Sequence, residues 1–138
     1  MSNSDFILAV HALVYLDHKA DTLTSSLLAE NICTNPARVR QVMARLRKAG
    51  LVATREGRKG GGYYFAHDAG KITLRMVSEA LGTCFVAASW RSGDPHMACR
   101  VASGISGVMD GILGELNQAC LHRLEQMTIQ DVSQKLFG

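Results

Sequence analysis

The sequence predicts a mostly α-helical fold with one small β-hairpin and a long helix towards its C-terminal end. Three observations predict it. Apolar residues recur at three- and four-residue steps through most of the chain, and a punctuated third helix follows two others at short range. The stretch EGRKGGGYYFA, residues 56–66, sets a glycine run between two groups of β-forming residues.

The elements follow in order. Residues 5–18, DFILAVHALVYLDH, place Phe6, Ala9, Val10, Leu13 and Leu16 at helical spacing, and Ala12, Val14 and Tyr15 widen that apolar surface into a mostly buried helix. After the polar break KADTLT, Thr24 or Ser25 can cap a short helix, SSLLAENI, with Leu28 and Ile32 on one side. In CTNPARVRQVMARLRKAG, Asn35 can accept from the free amides of a first turn, and Pro36 suits the first helical position. Gly50 can end the helix in the left-handed region. Val39, Val42, Met43 and Leu46 form an inward row, while Arg38, Gln41, Arg45 and Lys48 form a long, basic row on another side.

Leu51–Thr54 and Tyr63–Phe65 then flank a glycine-rich tip, which reads as a hairpin. A phosphate-cradling loop needs GxxxxGK with Ser or Thr after it and a helix beyond; here Lys59 precedes the glycines and a strand follows them. The glycines therefore serve a tight turn or a close backbone approach, and Tyr63, Tyr64 and Phe65 read as alternating core and surface positions.

Composition bounds the function. The chain has 138 residues, 47% hydrophobic and 20% charged, which suits one globular domain and no membrane span. The N-terminus lacks the basic region and small-residue cleavage site of a secretory signal, so residence in the cytoplasm is expected. Cys33, Cys84, Cys99 and Cys120 show no paired spacing, and reduced thiols are the default. Residues 38–60 carry eight cations against the single acid Glu56, a local +7 in a chain of net +3, so the remainder carries −4. A basic block in an otherwise acidic small chain marks a polyanion site, because neutralised phosphates release counterions.

A helix-turn-helix whose last helix is basic, followed by a basic hairpin, is a winged helix-turn-helix: the helix enters the major groove and the wing lies on phosphates or in a minor groove. The candidate contacts with double-stranded DNA are Asn35, Arg38, Gln41, Arg45 and Lys48 on the helix and Arg55, Arg58 and Lys59 on the wing. Arginine can pair with guanine and glutamine with adenine. The alternative is a winged helix that binds an acidic protein partner through its basic block. No nucleophile elbow or metal-ligand pair is present, so an enzyme is not expected, nor a metal or cofactor.

The order of helices ending in LRKAGLV, with a wing containing GRKGGGYYFA, resembles the Rrf2 family of bacterial winged-helix transcription regulators. The likeness covers the first 80 or so residues well and the rest loosely. It implies a dimeric DNA-binding regulator, usually a repressor, with a recognition helix over Asn35–Ala49, a wing over Ala53–Ala66 and a long C-terminal helix forming the dimer. Relatives that hold an iron–sulfur cluster use three closely spaced cysteines between the wing and the long helix; here that region holds only Cys84 and Cys99, and the triad is absent.

The second half divides into ITLRMVSEALG, a short helix capped by Thr73 with Ile72, Met76, Val77 and Leu81 at packing positions, and a linker. The expected units are a winged helix-turn-helix over 1–82, a linker over 83–96, and a dimerisation helix with a tail helix over 97–138. From Met97 to Met127 the residues Val101, Ile105, Val108, Ile112, Leu116 and Leu124 trace a near-heptad stripe, the first five proposed for a homodimer seam. Gly104, Gly107, Gly111 and Gly114 suit a close approach of backbones there, or alternatively mark a break in an intrachain core helix. Two winged helices related by a two-fold axis read an inverted repeat. The effector stays open: a redox signal at Cys99, beside Asp94, His96 and Arg100, or a small molecule. Cys33 reads as a buried small apolar residue.

Overall fold

The computed structural model describes residues 1–57 and 61–138. Six helices and one hairpin follow in order: α1 (Asn3–Lys19), α2 (Ser25–Ile32), α3 (Pro36–Lys48), β1 (Val52–Arg55), β2 (Gly62–Phe65), α4 (Leu74–Leu81), α5 (Arg100–Glu125) and α6 (Ile129–Phe137), with a 3₁₀ turn at Ala69–Lys71 before α4. The architecture is the mostly α, winged helix-turn-helix one that the sequence predicts.

Each short helix starts where an oxygen-bearing side chain satisfies its free amides. Thr24 accepts from Leu27 and Thr73 from Met76, and Ser2 and Asp5 form a reciprocal box at the start of α1. Helix α3 ends at Ala49 with Gly50 at φ +79°; the Gly50 amide donates to Arg47 and the Leu51 amide to Leu46, the paired closure that a left-handed glycine permits.

The core is built by α1–α4. Leu13, Leu16, Leu28, Val39, Val42, Met43, Leu46, Val77 and Leu81 are fully buried, each contributing about 1.5–3 kcal/mol of apolar transfer free energy. Ser78 is the buried position of α4 where the sequence placed Met76; Met76 lies 39% exposed, its sulfur accepting from the Thr73 amide. Helix α6 returns to this core: Ile129 is fully buried, its amide donates to Ile72, and Thr73 bridges Thr128.

The wing pairs antiparallel in register Val52↔Phe65 to Arg55↔Gly62. Tyr63 and Phe65 pack on the core, and Tyr64 faces the other way beneath Arg55, which is the expected alternation. Gly62 does bring two backbones together. Tyr63 and Leu23 exchange both main-chain bonds at 2.8 Å, and a Cβ at Gly62, φ +140°, would collide with the Leu23 carbonyl.

Helix α5 is unbroken over 26 residues and has no buried residue, so the alternative of an intrachain core helix broken at the glycines does not hold. Its own chain covers one side only. Ala102, Ser106, Leu113, Asn117, Cys120 and Leu124 are half-buried there, Asn117 holds the Val86 amide at 2.9 Å, and Arg91 pairs with Asp110 at 2.7 Å. Leu124 thus departs from the near-heptad stripe and joins the core edge. Among the described residues no helix is long and apolar enough to cross a membrane.

Candidate nucleic-acid interface

Helix α3 buries Val39, Val42, Met43 and Leu46 completely, which fixes what it shows to solvent. At 3.6 residues per turn the opposite face centres on Ala37, Gln41, Ala44 and Lys48, with Arg38 and Arg45 on one flank and Arg40 and Arg47 on the other. All of these are exposed except Arg38, which is partly covered. The two alanines keep the centre of the face low and leave long side chains at its rims, a form suited to lying in a groove.

Of the sequence candidates on α3, Gln41, Arg45 and Lys48 share this face. Asn35 is exposed at its start, where its side-chain oxygen accepts from the Arg38 amide at 2.8 Å and so holds the first turn. The Arg38 guanidinium is turned towards α1, Nε and Nη2 each 3.3 Å from Asp5 Oδ1. Burial would raise the Asp5 pKa, but hydrogen bonds from Ser2 and the nearby Arg38 guanidinium outweigh it and hold the carboxyl below its ordinary value. Arg40 and Arg47, not among the sequence candidates, flank the same exposed face. Arg40 reaches Ser25 Oγ at 3.3 Å on the α2 side of the face, and the signal for both was the position of the buried quartet on the helical wheel.

On the wing, the Arg55 guanidinium lies 4.5 Å from the centre of the Tyr64 ring, a cation–π contact that holds it at the hairpin. Arg58 and Lys59 lie outside the described residues. His67, just past the wing, hydrogen-bonds the Gly50 carbonyl at 2.5 Å, tying the wing's exit to the end of α3.

The cysteines are separate. Cys33 is not buried as expected: it is exposed at the left-handed end of α2, φ 64°. Cys99 stands exposed at the start of α5, where the amides of Ala102 and then Val101 hold its thiol below the ordinary value although the sulfur closes no cap bond. Asp94 is committed to the His96 amide at 2.9 Å. Cys84 bonds the Val86 carbonyl at 3.4 Å, and Cys120 sits half-buried late in α5.

Known proteins match this arrangement over its whole length. The family model for Rrf2, described as an iron-dependent transcriptional regulator, matches residues 2–135. YwnA of Bacillus subtilis (strain 168), assigned as an HTH-type transcriptional regulator, is 27% identical over 139 residues, 99% of this chain and 100% of that protein. Among solved structures, a protein of Lactobacillus plantarum assigned as a transcriptional regulator superposes with a TM-score of 0.81 at 23% identity, over 96% of this chain and 89% of that one. IscR of T. potens gives 0.70 at 19% identity, over 97% and 86%. CymR, the global cysteine regulator of B. subtilis, gives 0.69 at 17%, over 96% and 95%. At such identities these structures share the fold.

The iron in the family description does not fit the thiols of this chain. Cys99 and Cys120 lie near opposite ends of one unbroken helix, about 30 Å apart at 1.5 Å per residue, so they cannot share a cluster within the chain. Among the described residues no three His, Cys, Asp or Glu side chains converge as metal ligands. The buried α1–α4 core, the basic outer face of α3, the paired wing and the match over residues 2–135 converge: this chain belongs to the Rrf2 family, and it is a DNA-binding transcriptional regulator and not an enzyme.

Proposed function

We propose that the protein is a homodimeric, cytoplasmic repressor that binds an inverted-repeat operator, with α3 in the major groove and the wing beside it. The observation that carries the dimer is the bare stripe of α5. Val101 is 72% exposed, Val108 59%, Ile112 43% and Leu116 48%, with Ile105 half-covered, and all five fall within an arc of about 80° at 3.6 residues per turn. A monomeric soluble chain rarely leaves such a continuous apolar strip in water. Gly104, Gly107, Gly111 and Gly114 run in 3-4-3 steps along the adjoining arc, and a Cβ there would meet nothing in the same chain. They suit close packing of a second helix, as they lower the stability of a solitary one.

Gln41, Arg45 and Lys48 take the groove contacts, Asn35 and Arg38 act at the helix start, and Arg55, Arg58 and Lys59 bind the backbone through the wing. Of the two effector classes, a redox signal is supported by Cys99, which is exposed, has its thiolate favoured by the start of α5, and sits where the linker meets the proposed dimer helix. A small-molecule effector is the other.

Fluorescence anisotropy on duplex from the region upstream of its own gene, with a scrambled duplex as control, tests this in reductant and after mild peroxide. Selective binding with a steep negative log–log salt slope is expected, and Arg45→Ala should flatten that slope by about one. Weaker binding after peroxide, absent in Cys99→Ser, would support the redox effector; unchanged binding would move the effector to a small molecule. A complete lack of salt-sensitive DNA binding would sink the proposal.

A further inference from the structure

Arg38 differs from the other cations of α3 in being already held. Its Nε and Nη2 both point to Asp5 Oδ1 at 3.3 Å, while Asp5 Oδ2 accepts from the Ser2 amide at 3.1 Å and the Ser2 hydroxyl at 2.9 Å. One carboxylate oxygen therefore belongs to the cap of α1 and the other to the guanidinium. The carboxylate is itself fixed, because Ser2 Oγ in turn accepts from the Asp5 amide. Among the described residues Asp5 is the one acid paired with a cation of α3.

An acid at the rim of a polyanion site repels phosphate, so it lowers affinity unless it does something else there. As a stabilising ion pair it is weak, since the two side chains are 39% and 20% exposed and water screens them. Its geometry supplies another use. With Nε and one edge of Nη2 turned to Asp5, the outer edge of the guanidinium, Nη1 and Nη2, is not used by that pair, and Nη1 has no partner among the described residues in a side chain 39% exposed. That edge offers two parallel donors, the form that matches the O6 and N7 acceptors of guanine or two oxygens of one phosphate.

We propose that Asp5 is a specificity-setting positioning residue: anchored by the cap of α1, it holds Arg38 so that the outer edge of its guanidinium meets one fixed acceptor pair at the start of the recognition helix. The inference rests on Arg38 being a DNA contact. A long side chain held in its bound form loses less freedom on binding, and a held fork discriminates acceptor geometry where a free one follows any nearby phosphate.

The test compares the full-length wild type with Asp5→Asn, Arg38→Ala and the double variant. The probes are a duplex selected from random sequence by the wild-type chain and a scrambled duplex of equal length. Asp5→Asn should lower the ratio of selected to scrambled affinity by about three- to tenfold, with scrambled binding unchanged or tighter because an acid is gone. In the Arg38→Ala background Asp5→Asn should no longer change the ratio. Arg38→Lys, which keeps the charge and the caps but lacks the fork, should lower the ratio similarly while leaving the salt slope intact; it serves if Asp5→Asn weakens the fold. If Arg38→Ala changes neither affinity nor salt slope, Arg38 is no DNA contact and the underlying assignment fails. If Arg38→Ala weakens binding but Asp5→Asn leaves the ratio untouched, or tightens both duplexes equally, Asp5 only repels or sequesters and the positioning role is overturned.

Discussion

Two regions of the chain stand in opposite relations to their own contacts. The helices α1–α4 close on themselves around side chains with no remaining exposure, whereas α5, the longest element, buries none of its 26 residues. The first region is a finished core. The second leaves an apolar stripe uncovered, and its four glycines make it a poor helix alone. The difference teaches where each mutation should be felt: in the first region as unfolding of a single chain, in the second as loss of association and, through it, of operator affinity.

The largest effect should come from breaking the finished core. Leu13→Ala removes a fully buried side chain of α1 and should cost about 2–5 kcal/mol of unfolding free energy, read by urea denaturation at constant m-value. Placing Asp at both Val108 and Ile112 should leave that transition nearly unmoved. It should instead abolish the dimer and lower operator affinity by roughly 100-fold or more, since each half-site then binds alone and the lost contacts were worth about 1.5–3 kcal/mol apiece.

Smaller changes sharpen the contrast. Gly62→Ala forces a Cβ against the Leu23 carbonyl at a left-handed backbone position, and should cost about 1–3 kcal/mol. It should also release the wing, seen as faster hydrogen exchange at the Leu23 and Tyr63 amides. Smallest is the acid limb. The Asp5 pKa is lowered in the folded chain from 3.8, so its contribution to stability is complete above that value and disappears as the pH falls through the folded pKa. The stability difference between wild type and Asp5→Asn should therefore shrink below about pH 4 and stay level above it.

Much of the fold was legible because its signals are local. Thr24, Asn35 and Thr73 cap the helices that they precede, Pro36 opens α3, and Gly50 closes it, each through bonds spanning a few residues. The inward row of α3 was legible for the same reason: burial follows the helical period. What escaped depends on the tertiary arrangement. The hold of Asp5 on Arg38 joins residues 33 apart, and the approach of Gly62 to Leu23 needs the hairpin folded back on the chain before α2. Helix α6 was expected with the dimerisation unit, but its Ile129 lies in the core of the other helices, because Thr128 reaches Thr73 only once α5 has turned the chain round. Cys33 looked like a small core residue. A left-handed turn that ends α2 places it in water instead.

In the proposed dimer a second copy completes α5. The molar mass of the wild-type chain by light scattering at micromolar concentration, alone and on one operator duplex, tests it most directly. Twice the chain mass of 14.9 kDa in free solution and two chains per duplex are predicted. A single 14.9 kDa species that binds the selected duplex as one chain would contradict it.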